Sequence, residues 1–269
     1  MSYLCESLMQ YQPEISCIVP AFENIALFSR CLMSILTQES VKMEVIVCDD
    51  SASGDVRDLV DSLVTRYPHL RYVNGPRSGN PVDNWNTGLD EAVARYCVMI
   101  HHDEFLVDSK YLRNALDKLE ATGLPAVVGR CAVVAITRRS RFALMQRLML
   151  TLRAPLWTLY AVNWIGSTAV VVFNNAGKWR FDAKLVYLVD VDFYYRLLSA
   201  AKRIHFLEGI SVVSLGHHDA QISATCDVRA QSLKETRSRS SSNGAKLSGV
   251  QRNLLIMFAW MRLRLGARR

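Results

Sequence analysis

Apolar and polar positions along the first half of the chain switch repeatedly between two periods. Residues 15–20 form an unbroken apolar run, the mark of a buried strand, and residues 25–37 (IALFSRCLMSILT) carry apolar groups at helical spacing. A strand at 44–48, a helix at 55–66 with Ser53 or Asp55 near its cap, and a strand at 70–74 follow. A helix at 83–95, a strand at 96–101 and a helix at 109–121 complete the series. This βαβαβαβα order predicts an α/β domain built on a mostly parallel, doubly wound sheet with flanking helices.

The second half is less regular. Strand-like runs occur at 126–136, 168–173 and 210–215, an aromatic amphipathic stretch at 142–162, and a helical pattern at 190–201. Residues 154–177 carry no charge before Lys178, but Pro155, Asn163, Gly166, Asn174 and Asn175 interrupt them. A short aromatic helix, a turn and a buried strand are expected there rather than a membrane span. Residues 232–249, rich in Ser, Arg and Gly, read as a linker, and 250–266 as an amphipathic basic segment. The expected division is an α/β domain over 1–228 and a basic C-terminal segment over 229–269.

Charge changes this picture because it is unevenly spread. Residues 121–181 hold eight Lys/Arg and no Asp/Glu, and 229–269 hold ten Lys/Arg and one acid, Glu235. The rest of the chain is therefore acidic, although the formal total is +7. Two basic segments beside an acidic half suit a phosphorylated ligand or an anionic membrane surface. No helix-turn-helix, zinc-finger or RNA-recognition signature supports a nucleic-acid partner. Seven scattered cysteines with no CxxC pair suit reduced thiols in a cytoplasmic protein. The first residues, MSYLCESLMQYQPE, lack the profile of a signal peptide.

Acids recur at the C-terminal ends of predicted strands: Asp49 and Asp50 after VIVC, then Asp103 and Glu104 after MIHH. Ligands bind along that edge of an open α/β sheet. No glycine precedes Gly54, so the first strand–helix turn, PAFENI, is neither a P-loop nor a dinucleotide fingerprint, both of which need glycines for close backbone approach to phosphate. A bound nucleotide would need another counter-charge, and a divalent metal held by carboxylates fits.

With these motifs in order, residues 14–225 resemble the inverting family 2 glycosyltransferases of the GT-A fold, most closely the bacterial members that build surface polysaccharides. The resemblance implies transfer of a sugar from a nucleotide-diphosphate donor (a UDP- or dTDP-sugar) to a saccharide hydroxyl. The acceptor would be polyprenyl-diphosphate-linked, at the inner face of the plasma membrane. Around Pro20, in IVPAFEN, Phe22 would stack on the base, with Glu23 where the family usually has Asn and Asn24 one place later. Asp49 matches the position that reads the base ring N–H, and Asp50 would support the turn or a ribose hydroxyl. A capping role for both acids is the alternative. In NWNTG, Asn86 would lie near the nucleotide, and Trp85 stands where Arg is common. The alternative is a helix start with a buried Trp.

In HHDE, Asp103 and Glu104 would hold the ribose, the diphosphate and Mn²⁺ or Mg²⁺, with His101 where the first acid often stands. The usual Glu-Asp pair of the acceptor motif reads Val189-Asp190. Asp190 would be the general base and Asp192 the runner-up, or merely a partner of the helix dipole. His218, in GHHDAQIS, would lie near the diphosphate or metal. Departures from the family pattern at Glu23, His101 and Val189 leave a GT-A-like binding or scaffold protein as the alternative.

Overall fold

The computed structural model describes residues 11–135, 138–139, 142–201, 204–216, 228–241, 248–251, 253–255 and 257. The chain begins with β1 (Ile15–Ala21), α1 (Ile25–Leu36), β2 (Met43–Asp49), α2 (Asp55–Leu63), β3 (Leu70–Asn74), α3 (Pro81–Asp90) and β4 (Tyr96–Met99). It continues through β5 (Glu104–Leu106), α4 (Tyr111–Thr122), β6 (Ala126–Val128), β7 (Cys131–Ala135), β8 (Arg138–Arg139) and α5 (Phe142–Thr151). Then come β9 (Val171–Asn174), α6 (Val189–Ser199), β10 (His205–Phe206), β11 (Val212–Gly216) and α7 (Val228–Ser241).

Seven strands form the main sheet in the order β10-β6-β9-β4-β1-β2-β3. β1, β2, β3 and β4 pair in parallel, whereas β9 enters antiparallel between β4 and β6. Every residue of β1 and β2 is buried, as expected of strands covered on both faces. Helix α1 buries Phe28, Cys31, Leu32, Ile35 and Leu36, one stripe at helical spacing. A second sheet, β5-β11-β7-β8, lies beside the first. The mixed α/β architecture is the one the sequence predicts, mostly parallel with flanking helices.

Three local differences have physical causes, and the uncharged stretch folds as expected. Helix α3 starts at Pro81 rather than 83, because Asn80 accepts from the Val82 N–H and Pro81 takes the first turn. The run at 126–136 is two strands in two sheets. The chain leaves the main sheet at Gly129, whose N–H donates to Val170 and whose missing side chain leaves room for the Tyr111 ring. The uncharged stretch forms a 3₁₀ helix (Leu156–Tyr160), a turn, a second 3₁₀ turn and β9. Among the described residues no helix is long and apolar enough to cross a membrane. Finally, much of the expected linker is helix α7, and Leu255 beyond it joins the hydrophobic core.

Candidate active site

The parallel register brings Ala21 at the end of β1 level with Asp49 at the end of β2, and Asp49 level with Asn74 on β3. Pro20 is buried within β1, and Phe22, just beyond the strand, is 60% exposed. Glu23 takes a left-handed conformation (φ 56°), unusual for a residue with a side chain. Two hydrogen bonds hold it there. Its N–H donates to Ser51 Oγ at 2.7 Å, and its carboxylate accepts from the Ala52 N–H at 2.8 Å. Glu23 thus clips the β1–α1 loop to the β2–α2 loop. Asn24 caps α1 by accepting from the Leu27 N–H.

Asp49 is 2% exposed and both carboxylate oxygens are held. One accepts from the Ser51 N–H (3.0 Å) and the other from the Tyr72 hydroxyl (2.8 Å) on β3. That contact, with burial as the larger cause, pushes the Tyr72 phenol up to about 12. Asp50 accepts from the Arg77 N–H at 2.6 Å. Gly75 packs beneath both acids. A Cβ there would lie 2.7 Å from Asp50 Oδ1, Asn84 Oδ1 and the Asp49 carbonyl. Asn84 donates to the Cys48 carbonyl, and its own oxygen is buried.

The NWN segment is committed differently from its expected role. Asn86 both donates to the Phe181 carbonyl and accepts from the Phe181 N–H, each at 2.9 Å. This uses the carboxamide as a clip to the segment ahead of α6 rather than as a nucleotide contact. Trp85 is 8% exposed and packs edge-on against His101 (4.5 Å between ring centres) and Phe181 (5.3 Å). Burial holds the His101 imidazole below its usual range, so it is neutral at pH 7.

Asp103 sits half-buried in the turn between β4 and β5, its carbonyl accepting from the Leu215 N–H. Glu104 is committed to the interior. One oxygen accepts from the His101 N–H (3.0 Å), Thr168 Oγ1 (3.2 Å) and the Ala169 N–H (3.2 Å). Burial, reinforced by the charge of Asp103, pushes its carboxyl up. Glu104 is therefore not placed beside Asp103 as an outward ligand; it braces the turn that carries Asp103. Among the described residues no three His, Cys, Asp or Glu side chains converge as a metal cage. One hard carboxylate at this turn still fits the way Mg²⁺ or Mn²⁺ binds through a protein acid plus substrate phosphates. His218 lies outside the described residues.

The two candidate bases occupy the first turn of α6 in different settings. Asp192 is 1% exposed, pairs with Arg196 Nε at 2.8 Å and accepts from the Tyr160 hydroxyl at 3.3 Å. Asp190 accepts from the Val191 N–H (2.8 Å) and from the Asn163 carboxamide (2.6 Å), and among the described residues no cation forms an ion pair with it. Burial raises its carboxyl to about 6, against hydrogen bonds that lower it. Asn163 is fixed by a two-way contact with Gly166, whose carbonyl also accepts from the Tyr194 hydroxyl. Residues 163–169 thus bridge the acids: Asn163 holds Asp190, while Thr168 and Ala169 hold Glu104. The charges of both acids reach Tyr194 and help to raise its phenol.

Residues 16–177 match the family profile described as Glycosyl transferase family 2. The chain belongs to this family. The chain is 30% identical over 204 residues to an uncharacterized protein of Mycobacterium tuberculosis, covering 70% of this chain and 62% of that one. It is 30% identical over 122 residues to a GalNAc(5)-diNAcBac-PP-undecaprenol beta-1,3-glucosyltransferase of Campylobacter jejuni, covering 45% and 39%. The chain therefore spans less than two thirds of the length of these curated relatives. Residues 1–349 of S. aureus TarS in complex with UDP-GlcNAc share the fold at 16% identity and TM-score 0.66, covering 90% of this chain and 70% of that one. A mannosyltransferase from Pyrobaculum calidifontis in complex with GDP-Man and Mn²⁺ shares it at 16% identity and TM-score 0.58, covering 96% and 76%.

Three contributors escaped the sequence reading. Tyr72 and Gly75 lie on or after a short strand with no motif around them. Asn163 was noted only as a break in an apolar run, although a lone amide there was the available signal.

Proposed function

We propose that this family 2 glycosyltransferase transfers a sugar, with inversion, from a UDP- or dTDP-sugar to a hydroxyl of a lipid-linked saccharide during surface polysaccharide synthesis. The observation that carries the reading is the contrast at the start of α6. Asp192 is buried and locked into an ion pair, whereas Asp190 is half-buried, raised to about 6 and held by a neutral amide. A carboxylate in that setting suits proton removal near neutral pH.

In this mechanism Phe22 stacks on the base, and Asp49, pre-oriented by Tyr72 and the Ser51 N–H, accepts from the base ring N–H. A carboxylate serves there because it only accepts hydrogen bonds. Asp103 would hold a divalent ion, Mn²⁺ or Mg²⁺, against the donor diphosphate. That ion would supply charge stabilisation for the leaving group. Asp190 takes the proton of the acceptor hydroxyl as its oxygen attacks C1 of the sugar from the face opposite the nucleotide, so the anomeric centre inverts. Support for a nucleotide-sugar donor and a lipid-linked acceptor comes from the complexes and names of the similar proteins.

The site is read as peripheral on the cytoplasmic face of the plasma membrane. Leu144 and Leu148 on α5, with Leu152 just beyond it, are more than half exposed at four-residue spacing, and Arg147 and Arg153 are exposed among them. Apolar groups flanked by arginines suit an anionic bilayer surface. Sedimentation with anionic vesicles, abolished by Leu144→Ser plus Leu148→Ser, tests that part.

Calorimetric titration of UDP and dTDP with Mn²⁺, Mg²⁺ or EDTA tests the rest. Metal-dependent binding that Asp103→Asn weakens is expected. Absence of binding under every metal condition would favour a GT-A-like scaffold instead.

A further inference from the structure

The C-terminal segment's single acid is not on the surface. Glu235, on α7, is 4% exposed. Its carboxylate receives the backbone N–H groups of three consecutive residues: Val186 at 2.7 Å, Tyr187 at 3.2 and 3.3 Å, and Leu188 at 2.7 Å. Gln231, one turn earlier on the same helix, donates to it at 2.7 Å. Leu188 is the N-cap of α6, and Asp190 lies two residues on. The Leu188 side chain makes no capping hydrogen bond to this helix. These are the amides of the segment that leads into α6, and a carboxylate from a distant part of the chain takes them.

We propose that Glu235 is a positioning residue for Asp190, so that α7 completes the acceptor side of the site while taking no part in binding the donor. The proposal rests on the reading of Asp190 as the base. Three amides converging on one anion fix the backbone of 186–188 in all directions, as one neutral acceptor would not. The donor side is built independently from the ends of β1, β2 and β3. That separation gives the proposal its test, and it explains why an acid persists among ten basic residues.

The experiment uses the full chain with Glu235→Ala and, as a milder change, Glu235→Gln. Hydrogen exchange read by mass spectrometry should speed up at least tenfold over 186–191 in Glu235→Ala. Exchange in β1 and β2 should stay unchanged. Glu235→Gln, which keeps one acceptor oxygen, should recover part of the protection. The titration midpoint of the Asp190 carboxyl, followed by NMR with labelled aspartate and assigned through Asp190→Asn, should fall toward the ordinary carboxylate value as the turn opens to water. Exchange unchanged at 186–191, exchange spread equally through β1 and β2, or a midpoint that stays in place in both variants would overturn it. Neither readout depends on turnover. Loss of the base assignment through a fully active Asp190→Asn enzyme therefore remains a separate result.

Discussion

Asn163 donates to Asp190 at 2.6 Å while both ends of its carboxamide are tied to Gly166. An amide locked in this way cannot follow its partner, so the carboxylate is held against a fixed dipole. Gly166 itself has φ 109°, a conformation that side chains rarely adopt, and the Phe142 ring and Cys131 lie 3.1–3.2 Å from where a Cβ would be. The position of Asp190 is thus set by Asn163, which lies 27 residues away in the chain.

If Asp190 is the base, Asp190→Asn removes the proton acceptor and keeps the shape. Turnover is expected to fall ~10²–10⁴-fold, with nucleotide affinity unchanged by calorimetry. Asp192→Asn breaks the ion pair with Arg196 and is expected to lower the melting temperature while leaving measurable turnover. The opposite pattern in the two variants would exchange their roles.

The pH dependence follows from the raised Asp190 carboxyl, about 6. Below that pH the base carries a proton, so kcat should rise with pH through about 6 and level off above. Asn163 donates to the ionised form, so its removal disfavours the charge. Asn163→Ala should move the rising limb to higher pH. The same linkage acts on stability. A folded-state value above the ordinary one favours folding fully at low pH, and that contribution is lost as pH rises through about 6. Asp190→Asn should therefore melt higher than the wild type at pH 7.5, with the gap narrowing as pH falls below about 6 and closing only below the ordinary carboxylate value of about 4.

Asp103 and Glu104 are adjacent but have different work. Asp103→Asn should weaken metal-dependent nucleotide binding by at least tenfold with little change in melting temperature. Glu104→Ala leaves the donors from His101, Thr168 and Ala169 without an acceptor. It should cost about 1–3 kcal/mol of stability. A Glu104→Gln protein with metal dependence like the wild type would agree with a bracing role; loss of metal binding with a normal melting curve would restore Glu104 as a ligand.

On the nucleotide side, Tyr72→Phe removes one donor from Asp49 and nothing else. UDP affinity should drop by roughly 0.5–1.5 kcal/mol, the net worth of one hydrogen bond, with the fold intact. Gly75→Ala places a methyl 2.7 Å from three oxygens. It should lower stability by about 1–3 kcal/mol and weaken UDP binding together, because the Asp49–Asp50 corner must move. Thermal melts beside calorimetry on both variants separate the two effects.

The sequence by itself determined the sheet and the edge where the acids gather. Periodicity is a local property, and β1 and β2, buried on both faces, leave an apolar signature that neighbouring residues suffice to show. The order of strands then placed Asp49 and Asp103 at that edge, and the family resemblance pointed to Asp190 at the start of a helix. What each acid does there was decided only by tertiary contacts. Asp190 and Asp192 are two residues apart and alike in sequence, but one meets Asn163 and the other Arg196 and Tyr160. Asp103 and Glu104 are neighbours, but strand alternation turns the second inward onto Thr168 and Ala169. Glu23 and Asn86 carried motif positions, and the fold uses them as clips between loops. Residues 232–249 read as linker because Ser, Arg and Gly dominate their composition. Helix α7 exists over most of them where a distant row of backbone N–H groups meets the carboxylate of Glu235. A hydrogen bond between residues far apart in the chain leaves no period in either segment, so it becomes visible only when the fold brings them together.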